Sequence, residues 1–249
     1  YAPSDRVTLM AMLPYIDKTM DHITFRMPAG PNVLGGFETN SSGWGDVKLS
    51  ALIGLGDLVS SDVLLNFGVS LPTGSTTERG NVLTPVPGAP RPNVRLPYAM
   101  QIGSGTYDLL PGITYSANDG NFGWGAQLAG VIRTGKNNGY RLGDEGKFTA
   151  WASYQPTPAV SFSGRIEAKT VDDITGRDPQ ISAPVQTADP NNYGGETVML
   201  FAGVNVIGQS GALRGHRLAA EVGVPLYRDL NGPQLETDLI ATLGWQYAF

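Results

Sequence analysis

Apolar and polar residues alternate along most of this chain with a period of two. The pattern is clearest at the C-terminal end, where apolar side chains occupy nearly every second position from Leu235 to Phe249. Ile240 is the one large apolar residue among the alternate positions from Gln234 to Gln246. Successive side chains of a β-strand point to opposite faces, so this period is typical of strands with one apolar face. We therefore predict an all-β fold with ten strands, at residues 6–16, 44–56, 62–73, 104–117, 122–135, 147–156, 159–172, 195–207, 215–227 and 234–249.

The length of these segments favours strands that cross a membrane. Most have 10 to 14 residues, whereas strands of soluble proteins average about 5–6. A tilted strand needs about 9–11 residues to cross a bilayer. The last apolar face also closes with Trp245, Tyr247 and Phe249, and such rings lie at the headgroup level of membranes. The pattern predicts an antiparallel transmembrane β-barrel, with an edge strand of a soluble sandwich as the alternative.

Long and short connections alternate between the predicted strands. The long ones are polar and rich in Gly, Pro, Asn and Asp, at residues 17–43, 74–103, 136–146 and 173–194. The short ones are residues 57–61, 118–121, 157–158 and 208–214, and the last connection, 228–233, is short where the rhythm predicts a long one. Outer-membrane barrels place short turns in the periplasm and long loops outside. With Phe249 at the periplasmic end, segments 74–103 and 173–194 are both predicted on the external side.

Composition narrows the classes of protein further. Charged residues make up 16% of the chain, below the roughly 25% of soluble domains. The chain has no cysteine, which excludes disulfides, thiolate metal sites and a cysteine nucleophile. Its net charge is −5 without a basic block, so we do not expect a nucleic-acid partner. No apolar stretch of about 18 residues predicts a transmembrane helix, and we expect no cofactor.

The two faces of the predicted strands differ in charge. The apolar faces carry none, as contact with lipid requires. The opposite faces carry six basic and six acidic residues, predicted to line the interior: Asp46, Lys48, Asp108, Arg133, Lys147, Arg165, Glu167, Lys169, Arg217, Glu221, Glu236 and Asp238. Because unpaired buried charge is costly, this balance indicates paired networks or a narrow wet lumen. The charges would either brace the barrel or contact solutes, and the sequence leaves both open.

Two kinds of functional site are considered for this barrel, a metal site and a catalytic site. Weak candidates for a soft-metal site are Met10, Met12, Met20, His22 and Met27, since thioether and imidazole ligands suit Cu(I). The alternative is that methionine fills gaps in the lumen or packs a loop, and no tight Met-x-x-Met or His-x-His spacing occurs.

A lipid-modifying enzyme of the outer membrane would need a nucleophile with a histidine base. The two histidines, His22 and His216, have no recognisable serine partner, and no Gly-x-Ser-x-Gly elbow occurs. We therefore predict that the chain is not an enzyme. A structural barrel that scaffolds a partner protein is the other alternative to a channel, and it would have a plugged lumen.

Five stretches carry a family resemblance: residues 1–15, 42–50, 69–74, 103–112 and 232–238. Together they resemble the bacterial outer-membrane transporter family named for the phenol meta-degradation pathway, over most of the chain. The resemblance implies a porin-like channel for small solutes. Members occur near genes for aromatic degradation or heavy-metal resistance, so aromatic compounds and metal ions are the solutes implied.

The resemblance also implies a setting. Residues 1–249 would form a single barrel domain in the outer membrane of a Gram-negative bacterium, in contact with lipid and lipopolysaccharide. Phe249 would be the signal read by the barrel assembly machinery. Related chains have more strand sequence before the turn at residues 1–5, which implies a missing N-terminal hairpin and a twelve-stranded whole. Strand 6–16 would then pair with a strand outside this sequence.

Overall fold

The computed structural model describes residues 1–26, 32–58, 61–85, 90–181 and 186–248. Phe249 and Met27, predicted as assembly signal and metal candidate, lie outside these residues. No described helix reaches the length and apolarity needed to cross a membrane. The described part contains four short 3-10 helices, at Tyr98–Met100, Gln186–Ala188, Pro190–Asn192 and Gly211–Leu213. Its sixteen strands are β1 (Val7–Met12), β2 (Tyr15–Phe25), β3 (Val33–Trp44), β4 (Val47–Leu58), β5 (Ser61–Leu71), β6 (Arg79–Leu83), β7 (Pro90–Arg95), β8 (Asp108–Asp119), β9 (Phe122–Arg133), β10 (Tyr140–Arg141), β11 (Glu145–Thr157), β12 (Val160–Val171), β13 (Thr175–Gly176), β14 (Gly195–Ile207), β15 (His216–Leu230) and β16 (Ile240–Tyr247).

Ten of these strands form one antiparallel sheet in the order β1-β4-β5-β8-β9-β11-β12-β14-β15-β16. Each strand pairs with the next one of the sheet along the chain, as in an up-and-down barrel. The predicted all-β antiparallel fold is therefore confirmed. Among the described residues β1 pairs with β4 and β16 with β15, and no ladder joins β1 to β16. The sheet is thus open between these two strands, and the additional N-terminal hairpin stays a prediction.

The strand register separates an apolar face from a charged face. Residues directly opposite each other on paired strands share a face of the sheet, and Leu65 lies opposite both Ile53 and Ile113. Large apolar side chains on this outer face are exposed, which is unusual for a soluble protein. They include Phe67, Leu128, Phe162, Ile166, Leu200 and Val222. This belt fits contact with lipid hydrocarbon.

Two strands of the main sheet have different bounds from the predicted ones. The first was predicted over residues 6–16, but β1 ends at Met12 and β2 begins at Tyr15, on either side of Pro14. Pro14 has no N–H to donate to a ladder, and it lies at the point where the chain leaves the main sheet. The last was predicted over 234–249, but β16 begins only at Ile240, after a connection that contains Gly232 and Pro233.

Three antiparallel ladders form in the predicted loops instead: two are hairpins within one loop, and the third joins two different loops. β2 pairs with β3, β6 with β7, and β10 with β13, each outside the ten-stranded sheet. β2 reads Tyr-Ile-Asp-Lys-Thr-Met-Asp-His-Ile-Thr-Phe, so both of its faces mix polar and apolar residues. A strand without a continuous apolar face has no period-two signal, which is why the sequence pattern missed it.

The long connections lie together at one end of the sheet, as predicted for segments 74–103 and 173–194. An ion pair joins Arg95 Nη1 to Asp178 Oδ2 at 3.1 Å, and both side chains are buried. The buried apolar residues also collect there, with Tyr98, Tyr140, Ile174, Ile181 and Ala188 in one cluster. The buried apolar cluster is therefore formed by the connections, while most of the exposed large apolar side chains of the strands face outwards.

Candidate functional site

The charged residues predicted for the interior share one face of the sheet, with three exceptions. By register, nine lie together on the face that we call the inner face: Lys48, Asp108, Arg133, Lys147, Arg165, Glu167, Lys169, Arg217 and Glu221. Asp46 directly precedes β4. Glu236 and Asp238 lie in the connection before β16, and this position corrects the predicted strand.

A first chain of ion pairs crosses the inner face near the long connections. Arg133 Nη1 lies 2.6 Å from Asp108 Oδ2, and Arg133 Nη2 lies 2.9 Å from Glu145 Oε1. Lys169 Nζ lies 2.8 Å from the other oxygen of Glu145. The carboxylate of Asp108 is almost fully buried and also accepts from Thr106 Oγ1 at 2.6 Å. A buried carboxylate is tolerated because its hydrogen-bond partners replace water. This series of ion pairs links strands β8, β9, β11 and β12 and so rigidifies that part of the wall.

A second cluster lies further along the same face. Arg165 donates from Nε and Nη2 to the two oxygens of Glu221 at 3.1 and 2.6 Å, and from Nη1 to Glu167 at 2.7 Å. Its guanidinium carbon also lies 3.7 Å from the ring centroid of Phe201. Lys147 completes the cluster, 3.8 Å from Glu167. Bidentate pairing and ring stacking hold the guanidinium flat against the wall.

Glycines on neighbouring strands give two inward aromatic rings room to lie on the wall. A Cβ at Gly125 would come within 2.2 Å of Trp151 Cζ2, and one at Gly223 within 2.2 Å of Phe201 Cε1. A glycine inside a strand often marks such a close approach. Sequence reasoning missed these pairings, because strand periodicity carries no signal for which residues meet across strands.

Glu236 and Asp238 pair with a residue outside the predicted interior set. Both pair with Arg228 Nη1, at 2.9 and 3.0 Å, and their side chains are largely exposed. A register shift between Val198 and Met199 of β14 places Arg228 opposite Thr197, on the inner face. Sequence reasoning missed Arg228 because it ended this strand at residue 227.

Residues 95–106, which we name the loop cover, lie over the inner face and are held by the β2–β3 hairpin. Lys18 Nζ donates to the carbonyl oxygens of Ala99 and Gln101 at 2.8 and 2.6 Å. Ser41 Oγ donates to the carbonyl oxygen of Met100 at 2.6 Å. The ammonium of Lys18 meets neutral oxygens there, and burial lowers its pKa.

Asp46 holds the loop cover from the side of the sheet. Its Oδ1 accepts from the backbone N–H of Gly74 and its Oδ2 from that of Ser104, both at 2.8 Å. Gly103 has no room for a side chain, because a Cβ would come within 2.3 Å of the oxygen of Gly74. The predicted lining residue Asp46 thus acts as a buried anchor for two loop segments.

Three tyrosines pack together around the loop cover, and one of them, Tyr98, belongs to it. Tyr98 meets Tyr140 edge-on at a centroid distance of 4.7 Å and Tyr193 at 5.7 Å. Tyr193 Oη donates to Thr187 O at 2.6 Å. The buried Oη of Tyr140 has no hydrogen-bond partner among the described residues.

Alkaline pH should loosen this tyrosine cluster between about pH 10 and pH 12. Burial, reinforced by Asp178, raises the pKa of Tyr140 to about 12, and burial raises the pKa of Tyr193 to about 12. An unfolded phenol titrates near pH 10. The stabilisation is therefore complete below pH 10 and is lost as the pH rises through 12, because the folded state holds these protons more tightly. Phenolate absorbance during an alkaline titration measures it.

Tyr140→Phe is the matched control for that titration. It should remove one late-titrating group at little cost in stability, since Tyr140 Oη makes no hydrogen bond to the described residues. If all ten tyrosines of the chain titrated together near pH 10, the cluster would be solvated and the expectation wrong.

A cavity of about 470 Å³ lies between the loop cover and the inner face. The sheet contributes residues from five strands, β4, β5, β8, β9 and β11, so it curves around the space. The charged residues of the lining are Lys18, Asp46, Lys48, Asp108, Arg133 and Glu145. The apolar ones include Ile16, Ile102, Leu110, Val131 and Leu142. The arrangement can hold a small molecule in an environment that is part apolar and part charged.

The structure separates the metal candidates. Met10 and Met12 lie in the main sheet, opposite Ser50 and Lys48, whereas Met20 and His22 lie in the β2–β3 hairpin. His22 Nε2 lies 2.9 Å from Thr39 Oγ1, and its ring stacks on Phe37. No group of three or more His, Cys, Asp or Glu residues suited to a metal ion occurs in the described part of the chain.

His216 lies on the outer face, among aromatic residues. Its Nδ1 accepts from Trp245 Nε1 at 3.0 Å, and its ring centroid lies 4.6 Å from that of Tyr247. This places it in the aromatic boundary of the last strands, at the end of the short turns. The two histidines therefore belong to opposite ends of the fold and do not form a common site.

The solved structures that this chain matches include two outer-membrane proteins. An outer-membrane channel from Pseudomonas putida F1 superimposes with a TM-score of 0.64 at 14% sequence identity, over 99% of this chain and 78% of that one. OmpT, an outer-membrane protein of Vibrio cholerae in its trimer form, gives a TM-score of 0.41 at 13% identity, over 81% of this chain and 55% of that one. No family model and no curated protein matches the chain.

The likeness to the Pseudomonas protein shows that the chain has the fold of an outer-membrane β-barrel. This fold and the uncharged apolar belt are those of a bacterial outer-membrane protein. The more specific link to the phenol meta-degradation family stays a prediction.

Proposed function

We propose that the chain forms a channel for small solutes in the bacterial outer membrane. The observation that carries this proposal is the cavity between the charged inner face and the loop cover. An outward apolar belt with a polar, charged interior is the arrangement of barrels that conduct. Selectivity would come from the inner-face charges and from the loop cover at the external end.

The lining of the cavity favours small organic solutes over metal ions. Apolar side chains such as Leu110 and Val131 share the cavity with charged ones, and the thioether and imidazole groups that would bind a soft metal are divided between β1 and the β2–β3 hairpin. The proposed partners are membrane lipid and lipopolysaccharide along the outer belt. The assembly machinery would read the C-terminal residue, Phe249.

A structural barrel that scaffolds a partner is the second candidate function. The observation in its favour is the number of contacts that hold the loop cover, from Lys18, Ser41, Asp46 and the buried Arg95–Asp178 pair. A permanently covered lumen would conduct nothing. Catalysis is not part of either proposal.

Conductance with and without the Asp46 anchor separates the two functions. Purified protein in planar bilayers should give discrete single-channel currents. Asp46→Ala should raise the conductance severalfold and increase its noise, because two backbone N–H groups lose their acceptor and the loop cover is released. Asp173→Ala, which removes an exposed carboxylate bonded to Asn231, is the matched control and should leave the current unchanged. Zero current from all three proteins, each folded normally, would refute the channel and favour the scaffold.

A further inference from the structure

We propose that the cavity under the loop cover is a binding subsite for a small organic anion with its charge at one end of an apolar body, such as a short-chain carboxylate. This inference rests on the proposed channel function only for the place of the subsite on a solute path. The nature of the ligand follows from which charged groups of the lining already have a partner of opposite charge and which do not.

Every carboxylate oxygen of the lining already accepts a hydrogen bond or an ion pair. Both oxygens of Asp46 accept backbone N–H groups. Asp108 accepts from Arg133 and from Thr106 Oγ1. The two oxygens of Glu145 are occupied by Arg133 and Lys169. An incoming cation would therefore have to share these oxygens with the donors that they already bind.

The basic groups differ, because two of them lack a carboxylate partner. Lys48 forms no ion pair with a described carboxylate. Its positive charge also helps to stabilise the carboxylate of Glu145, but Glu145 is already paired with Arg133 and Lys169. Lys18 donates two of its three N–H groups, both to neutral carbonyl oxygens. Since burial without a counter-charge disfavours the ammonium of Lys18, an anion beside it would supply what the site lacks. The cavity therefore offers two lysine ammonium groups without a carboxylate partner, and an anion is the ligand that would pair with them.

The remaining lining sets the shape of the ligand. Ile16, Leu110, Val131 and Leu142 present aliphatic side chains to the same space. A volume of about 470 Å³ lies within the range of about 300–1,000 Å³ typical of small-molecule sites. A ligand with a carboxylate near the lysines and a hydrocarbon body against these aliphatic side chains would contact both parts of the lining. An inorganic anion would leave the aliphatic side chains in contact with water.

Calorimetric titration of the full chain in detergent micelles tests the subsite with three probes of equal length: hexanoate, hexanol and hexylammonium. Hexanoate should bind at least about tenfold more tightly than either of the others, since it alone offers the lysine ammonium an acceptor of opposite charge. Lys48→Gln should weaken hexanoate binding about tenfold, and Lys48→Arg should restore most of it. Lys136→Gln removes an exposed loop lysine and should change nothing.

Equal binding of the three probes, or unchanged hexanoate binding by Lys48→Gln, would overturn the inference. The result is independent of conduction. Hexanoate binding by a protein that carries no current would support the subsite and refute the channel, whereas current without preferential hexanoate binding would refute the subsite alone. Because Lys48 is exposed to the interior and forms no ion pair with a described carboxylate, Lys48→Gln should fold normally, as heat-modifiable gel mobility can verify.

Discussion

Leu65→Arg and Ile113→Arg should each leave most of the protein unassembled in the membrane. The two residues are direct partners in β5 and β8, and their side chains are exposed on the outer face. Arginine near the middle of the bilayer costs about 2–4 kcal/mol, a large part of the roughly 5–15 kcal/mol that stabilises a folded protein. The fraction of heat-modifiable, folded protein in membrane extracts measures the effect.

Asn66→Arg is the control for this experiment. Asn66 directly follows Leu65, so its side chain points to the inner face, where it lies opposite Gly112. Arginine there faces the interior with other charges, and the protein should fold. Normal folding of both lipid-face variants, with failure of Asn66→Arg, would mean that the two faces are assigned the wrong way round.

Arg165→Ala combined with Lys169→Ala should shift the ion selectivity of the channel towards cations. The change removes two positive charges from the inner face and leaves Glu221, Glu167 and Glu145 without their partners on β12. The reversal potential in a salt gradient measures the shift. It should shrink at high salt, because the screening length falls from about 10 Å at 0.1 M to about 3 Å at 1 M.

Arg177→Ala combined with Lys136→Ala removes the same two residue types from the external connections and should leave selectivity unchanged. If the β12 charges only brace a non-conducting barrel, their removal should instead lower stability, because carboxylates lose their partners. Unchanged selectivity together with unchanged stability would contradict both roles and would place the charges of β12 outside the interior.

The sequence by itself determined the ten strands of the main sheet and their two faces. A strand between lipid and a polar interior must alternate strictly, so a period of two marks each position as outer or inner. The same logic placed Arg165, Glu167 and Lys169 on one face, and the register of β12 with β11 and β14 agrees. Connection lengths predicted the two ends of the sheet, because long connections collect at one side of such a barrel.

Only the tertiary structure decided which charges meet and what the long connections build. Arg165 reaches Glu221 across β14, a contact 56 residues apart along the chain that depends on strand register and not on spacing. Lys18 and Asp46 hold the loop cover through backbone carbonyl and N–H groups, which every residue carries and no side-chain pattern reveals. Periodicity therefore determines the wall of this barrel. The cavity depends on long-range hydrogen bonds among irregular segments, so it emerges only when the chain is folded.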